Sequence, residues 1–282
     1  QKNYCLILTW EFPFKILKKM KRFTDQMNRE VILTEYPPRK IISLVPSITE
    51  LLFQLGLEKQ ITGVTKFCVH PKNACKNKIK IGGTKNIHIE KIIQMKPGLV
   101  IANKEENVKN QIECLEKLFP VWMSDVNDFN EAINMILQIG EITGTTKNAR
   151  EIIQAIQTNF SKIIIPVRKI KVTYLIWQNP FMAVGGDTFI HSMLSKAGFE
   201  NVFENENRYP EITLQNIMDK QTEILILSSE PYPFKEKHQK EFENLLPGIN
   251  IILADGEMFS WYGSRMMSAA QYFREMQLQL NN

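Results

Sequence analysis

Apolar residues in this chain gather into short runs of four or five, each leading into a stretch where they recur three and four positions apart. Ile41-Ile42-Ser43-Leu44-Val45 is the first clear β-rich run, and Pro46 stops it. Ser47-Ile48-Thr49-Glu50 then has the spacing of a capping box and opens onto Leu51, Leu52 and Leu55 before Gly56, which predicts a strand feeding a helix. A strand over 61–66, a long loop holding Pro71, Gly82 and Gly83, a helix over 89–95 closed by Pro97-Gly98, and a buried strand over 99–102 follow. Helix 105–118, strand 120–124 and helix 128–143 complete an alternation that calls for a mostly parallel sheet.

A long helical pattern then runs from Thr145 to Ile163 through Ala149, Ile152, Ile153, Ile156 and Phe160, with no Gly or Pro inside it and Pro166 beyond. After it the order of elements begins again, with strand 169–177, helices 187–197 and 213–219, strand 223–228, helix 236–245, strand 249–253 and helix 264–279. Ile89, Ile92, Ile93, Leu99, Val100 and Ile101 align without a gap on Leu214, Ile217, Met218, Ile224, Leu225 and Ile226. Leu51-Leu52 with Gly56 likewise match Met193-Leu194 with Gly198. The expected architecture is α/β: two parallel-sheet lobes, 39–144 and 166–282, each with its own core, joined by one long helix at 145–165. Residues 1–38 form an N-terminal extension and first strand region.

Composition narrows the function without naming it. The chain has 282 residues, 44% of them hydrophobic and 23% charged, as expected of a globular protein large enough for two lobes. Its net charge of +5 is spread along the chain with no arginine-rich run, so nucleic acid is not an expected partner. No run of about twenty apolar residues is present to span a bilayer. The run Tyr4 to Trp10 is broken by Glu11 and Pro13 and makes a poor signal peptide, while Met20-Lys21-Arg22 makes a natural start. That leaves a cytoplasmic location open. The cysteines Cys5, Cys68, Cys75 and Cys114 contain no CxxC pair. Cys68, His70 and Cys75 lack the tight spacing and fourth ligand of a zinc site, so free thiols and no metal are expected.

No Walker A loop, GxGxxG fingerprint, GxSxG elbow or HExxH motif appears, and the four histidines fall in separate segments. Neither a catalytic residue nor a cofactor is therefore expected. The loops at the carboxyl ends of the predicted strands instead hold many of the large rings, among them Phe67, Trp177, Phe181, Tyr209, Tyr232, Phe234, Phe259, Trp261 and Tyr262. Open parallel sheets bind ligands at those ends, and two lobes facing each other make a cleft. Rings in such loops suit a large, flat, partly apolar ligand. Two further stretches bear on this cleft. Gly185-Gly186 could present helix-start amides, although a plain turn accounts for it as well. The run Asp255 to Arg265 places rings and a cation before the last helix.

From Arg39 to Leu280 the sequence resembles the substrate-binding proteins of ABC importers with a rigid helical linker, class III periplasmic binding proteins of the vitamin B12 and iron-chelate branch, also called helical backbone metal receptors. The resemblance rests on Arg39 to Glu50, on Gly63-Val64-Thr65 with Pro71, on Gly82-Gly83 through Asn86 to Glu90, and on Lys96 to Ile101. Trp261-Tyr262-Gly263-Ser264-Arg265 resembles the closing loop of that family. It implies a monomer with a cleft that opens only slightly, a corrinoid or iron-chelate ligand, an ABC permease partner and a periplasmic or cell-envelope location. The alternative is a cytosolic binder of the same ligand class, uncoupled from transport. The ligand-binding positions expected on rings and strand ends together are Ser47, Phe67, Lys85, Asn103, Trp177, Phe181, Tyr209, Trp261 and Arg265. Two tryptophans that B12 binders use fall on Thr84 and Asn103 here. Of the two acidic permease-docking positions one matches Glu90, while the other falls on Gln215 with Glu211 nearby.

Overall fold

A computed structural model describes residues 20–280; the expectations for residues 1–19 lie outside the described residues. Strands β1 (Lys21–Thr24) and β2 (Glu30–Leu33) form an antiparallel hairpin that the sequence pattern does not resolve. The buried Asp25 ties it down, accepting from Met27 N and Arg29 N at 2.9 Å and from Met123 N at 3.2 Å.

The first lobe contains β3 (Ile41–Ser43), α1 (Pro46–Gln54), β4 (Ile61–Val64), α2 (Lys72–Lys76), β5 (Ile79–Lys80), α3 (Ile89–Met95), β6 (Leu99–Asn103), α4 (Lys109–Glu116), β7 (Val121–Ser124) and α5 (Phe129–Thr143). Its sheet is wholly parallel in the order β5-β4-β3-β6-β7. The helix after β3 starts earlier than its capping-box spacing suggests. Val45 is the N-cap and has no side-chain bond, while Pro46 opens the helix, because proline's fixed φ suits the first helical position. Glu50 is thereby free for a distant partner.

α6 (Thr146–Phe160) is the joining helix, shorter than expected because the chain leaves helical geometry before Pro166. The second lobe follows with β8 (Ile170–Trp177), β9 (Phe181–Ala183), α7 (Phe189–Lys196), β10 (Phe199–Asn201), β11 (Glu211–Ile212), α8 (Leu214–Asp219), β12 (Ile224–Ser228), α9 (Glu236–Leu245), β13 (Asn250–Ala254), α10 (Glu257–Ser260) and α11 (Met266–Leu280). Strands β10, β8, β12 and β13 are parallel, whereas β9 and β11 add antiparallel strands. The repeat read in the sequence has a topological counterpart: β4-β3-β6-β7 in one lobe corresponds to β10-β8-β12-β13 in the other. Gly56 and Gly198 end the matching helices α1 and α7 at φ of +84° and +82°, a conformation that glycine adopts without a Cβ clash.

The expectation of two separate cores is corrected. One continuous buried cluster runs from Val45, Ile48 and Leu51 through Ile136, Ile139, Ile152 and Ile156 to Tyr174, Phe259 and Phe273, and each sheet has a smaller cluster on its other face. α6 makes this continuity. A Cβ on Gly140 of α5 would lie 2.4 Å from the Cβ of Ala149, and Phe160 packs edge-on against Phe129 at 4.8 Å and against Phe273 at 6.1 Å.

Candidate functional site

The carboxyl ends of β3, β4, β6 and β7 face those of β8, β12 and β13, and the loops there build the site. On the first lobe Phe67 follows β4 with half its surface open, at 51%. Its ring lies against Gly83, where an added Cβ would meet Phe67 Cε2 at 3.2 Å, and Lys66 Nζ sits 5.0 Å from its centroid. The turn after β6 is held from within. Asn103 Oδ1 accepts from the backbone N–H groups of Glu105 at 2.8 Å and Glu106 at 2.9 Å, and Asn103 Nδ2 donates to Ser124 Oγ at 3.0 Å. Asn107 Nδ2 donates to Thr84 O at 3.1 Å, and Lys85 Nζ donates to Glu105 O. These bonds fix the backbone that carries Glu106.

Glu106 is exposed on the turn after β6. Desolvation pushes its carboxyl above the usual range, and the charge of Lys85 only partly opposes this. Its charge is felt across the cleft by Tyr209, Glu230 and Tyr262 of the second lobe. Tyr209 is half-buried, with the Arg208 guanidinium 5.6 Å from its ring centroid. Trp177 closes β8, open to solvent and edge-on to Tyr232 at 5.6 Å. Nearer the mouth, Arg208 pairs with Glu105 of the first lobe and donates to Asn127 Oδ1 at 3.3 Å. A cavity of about 750 Å³ lies between the lobes here, lined by Lys104, Glu105, Asp125 and Asp128 on one side and Asp187 and Arg208 on the other. That volume is within the range of small-molecule sites.

The run Asp255 to Arg265 is not open to a ligand in the way its composition suggests. Trp261 is only 8% exposed. Its indole N–H donates to Glu230 Oε1 at 2.9 Å, its ring meets His70 edge-on at 5.6 Å, and Arg265 lies 5.1 Å from its centroid. Arg265 is a bridge between lobes, donating through Nε to Glu50 Oε2 at 3.0 Å and through Nη2 to Glu50 Oε1 at 2.8 Å, while Nη1 reaches Glu257 Oε2 at 3.2 Å. Glu257 Oε2 also lies 3.3 Å from His70 Nε2. Tyr262 is buried, and a Cβ on the neighbouring Gly263 would lie 3.4 Å from Leu51 Cβ and 3.6 Å from Ser47 O of the first lobe. This loop is the joint at the back of the cleft.

Of the sequence-predicted ligand positions, Phe67 and Trp177 are exposed at the ends of β4 and β8, Lys85 is exposed on the loop before α3, and Tyr209 is partly open just before β11. The others have different surroundings. Arg265 and Trp261 have partners in the joint, and Ser47 is buried. Asn103 is buried and its amide is used in its own turn. Phe181 packs on Phe242 at 5.3 Å, within the second lobe's own cluster, because β9 pairs with β8 and turns that ring onto the sheet. The amides of Gly185 and Gly186 are taken by Arg208 O and Glu206 O at 2.8 Å. Glu90 and Glu211 are exposed, as is Gln215.

Glu106, Glu230, His70 and Arg208 lie in loops expected to line the cleft but are not among the expected ligand positions. The signal that finds them is position, since Glu106 and Glu230 come just after β6 and β12, where parallel sheets present side chains to a ligand. Among the described residues no three His, Cys, Asp or Glu side chains come together as a metal site. Cys68 is buried beside Thr49 Oγ1 at 3.1 Å and Thr65 Oγ1 at 3.2 Å, and burial raises its thiol. Burial likewise pushes the Cys75 thiol up to about 11, so both remain protonated at neutral pH.

A family model described as periplasmic binding protein matches residues 41–245. An uncharacterized ABC transporter substrate-binding lipoprotein, YvrC of Bacillus subtilis, is 27% identical over 206 residues, 69% of this chain and 64% of that protein, so the match spans just under two thirds of the relative's length. A vitamin B12-binding protein of Vibrio parahaemolyticus is 25% identical over 222 residues, 76% of this chain and 79% of that protein. The solved structure of a possible iron-binding (periplasmic solute-binding) protein from Staphylococcus epidermidis superposes with a TM-score of 0.74 at 26% identity, covering 85% of this chain and 98% of the other.

Proposed function

Because this chain belongs to the periplasmic binding protein family, we propose that it is the substrate-binding protein of an ABC importer, holding a corrinoid or an iron chelate between its lobes and handing it to a permease. The observation that carries the reading is the cavity between the lobes, lined by Lys104, Glu105, Asp125 and Asp128 of the first and by Asp187 and Arg208 of the second; the rings of Phe67, Tyr209 and Trp177 are open to solvent on loops outside that lining. A relative named as a lipoprotein and a solved structure described as periplasmic solute-binding support an envelope location; nothing in the comparisons supports the cytosolic alternative. Glu90 and Glu211, one exposed acid on each lobe, are the proposed contacts for permease cations.

The charge of the cleft bears on which ligand fits. Glu105, Asp125, Asp128 and Asp187 outnumber Lys104 and Arg208 in its lining, in a chain whose net charge is positive. A periphery of amides donates hydrogen bonds to such a wall, whereas peripheral carboxylates meet like charge. The reading therefore favours an amide-bearing corrinoid over haem with its propionates. Titrating cobinamide, haem and a ferric tris-catecholate while following tryptophan emission tests it. Cobinamide should quench and bind tightest; tighter haem binding keeps the transport reading and overturns the choice of ligand, and silence from all three overturns both.

A further inference from the structure

The loop between α6 and β8 carries a feature that the cleft does not explain. In Lys162-Ile163-Ile164-Ile165-Pro166-Val167-Arg168-Lys169, Ile163 is buried while Ile164 is 81% and Val167 109% exposed, and Ile165 is exposed as well. These side chains are held outward by a fixed backbone. Ile163 N donates to Phe160 O at 3.1 Å, Gln277 Nε2 donates to Ile164 O at 3.0 Å, and Pro166 lies against Gly198, where an added Cβ would meet Pro166 Cδ at 2.9 Å. A loop so anchored cannot fold its apolar groups inward. Beside it a recess of about 300 Å³ is lined by Lys162, Ile164, Pro166, Arg168, Arg274 and others. Lys162, Arg168 and Lys169 flank the apolar residues, and Arg168 pairs with Glu223 at 2.7 Å.

This loop lies at the amino end of β8, and the eight residues of that strand separate it from the cleft by roughly 23 Å. It takes no part in holding the ligand. Three exposed aliphatic side chains offer roughly 300 Å² of apolar surface, well short of the roughly 800 Å² per partner that a stable protein interface buries. A small apolar wedge between cations instead has the chemistry of a surface that dips into lipid headgroups and pairs with their phosphates.

We propose that the loop 162–169 is a contact for an anionic membrane surface, inserting Ile164, Ile165 and Val167 while Lys162 and Lys169 meet headgroup phosphates. The test is co-sedimentation of the purified chain with phosphatidylcholine vesicles, with and without about one third phosphatidylglycerol, where each cation at the surface is worth about fivefold in partition. More protein should sediment with the anionic vesicles. The double variant Ile164→Ser, Val167→Ser should cut this at least threefold, and Lys162→Glu with Lys169→Glu should abolish the difference between vesicle types. Both variants should keep the parent's far-ultraviolet circular dichroism and thermal midpoint, which shows that they are folded. Equal sedimentation with both vesicle types overturns the proposal, as does a serine variant that sediments like the parent. A parent that is dimeric in solution and made monomeric by the serine substitutions overturns it in favour of self-association.

Discussion

The first lobe extends its sheet beyond β3 with two parallel strands, while the second shares the same edge of β8 between the short parallel β10 and the antiparallel pair β9 and β11. The frame is repeated and the edge is not. A second asymmetry follows β13, whose loop and α10 reach across to α1, whereas the first lobe runs from β7 straight into α5. The repeated strands thus decide where a ligand can sit, and the unrepeated segments decide how the lobes are joined and which rings remain open. The second lobe's closing loop buries Trp261 and Tyr262 at the joint, leaving Phe67 of the first lobe as the more exposed ring.

The largest expected effect is on that joint. Trp261→Ala removes a ring that is 8% exposed and bonded to Glu230, so it should lower unfolding free energy by about 3 to 5 kcal/mol in urea denaturation; a loss near zero would return Trp261 to the ligand. Next, Glu50→Ala leaves Arg265 only Glu257 and should cost about 1 to 3 kcal/mol, with Glu50→Gln costing less because an acceptor remains. The repeated glycines sharpen the comparison further. Gly56→Ala should cost about 1 to 2 kcal/mol for its left-handed φ, its nearest neighbour being Asn148 Nδ2 at 3.7 Å. Gly198→Ala should cost more, because Pro166 Cδ and Gln277 Nε2 both lie 2.9 Å from the new Cβ. Equal losses would break the claim that the two helix ends differ in what surrounds them.

The smallest effect is a pH dependence. Desolvation holds the Glu106 carboxyl above its ordinary range, so the fold favours its protonated form. Its contribution to stability is fully present below the ordinary glutamate range and is lost as pH rises through the raised value. Glu106→Gln should therefore raise the thermal midpoint at neutral pH, by an amount reduced by the solvent that reaches it, and leave it unchanged below the ordinary range. A lower midpoint at neutral pH would mean that Glu106 makes an attractive contact instead.

Much of the frame is legible in the sequence because apolar period and length set it: helix 89–95 and helix 236–245 are read at their observed bounds. The strands β5, β10 and β11, of two or three residues, carry too few positions for any period to show. In the site, the open rings Phe67 and Trp177 are legible from their place after strands. The partners of Arg265 and Trp261 are not legible, because composition shows a ring beside a cation and says nothing of Glu50, 215 positions away, which holds the guanidinium. Glu106 is not singled out because a lone carboxylate in a polar loop looks like any solvated residue in the sequence.

The central claim is that ligand contact belongs to the open rings at the facing strand ends and structural support to the closing loop. Calorimetric titration of cobinamide into the parent chain and into Phe67→Ala tests it most directly, with a denaturation midpoint measured on each. The account predicts about tenfold weaker binding by the variant, roughly 1.4 kcal/mol, at an unchanged midpoint. Parent-like affinity in Phe67→Ala, or a loss of affinity matched by a much lower midpoint, would contradict it.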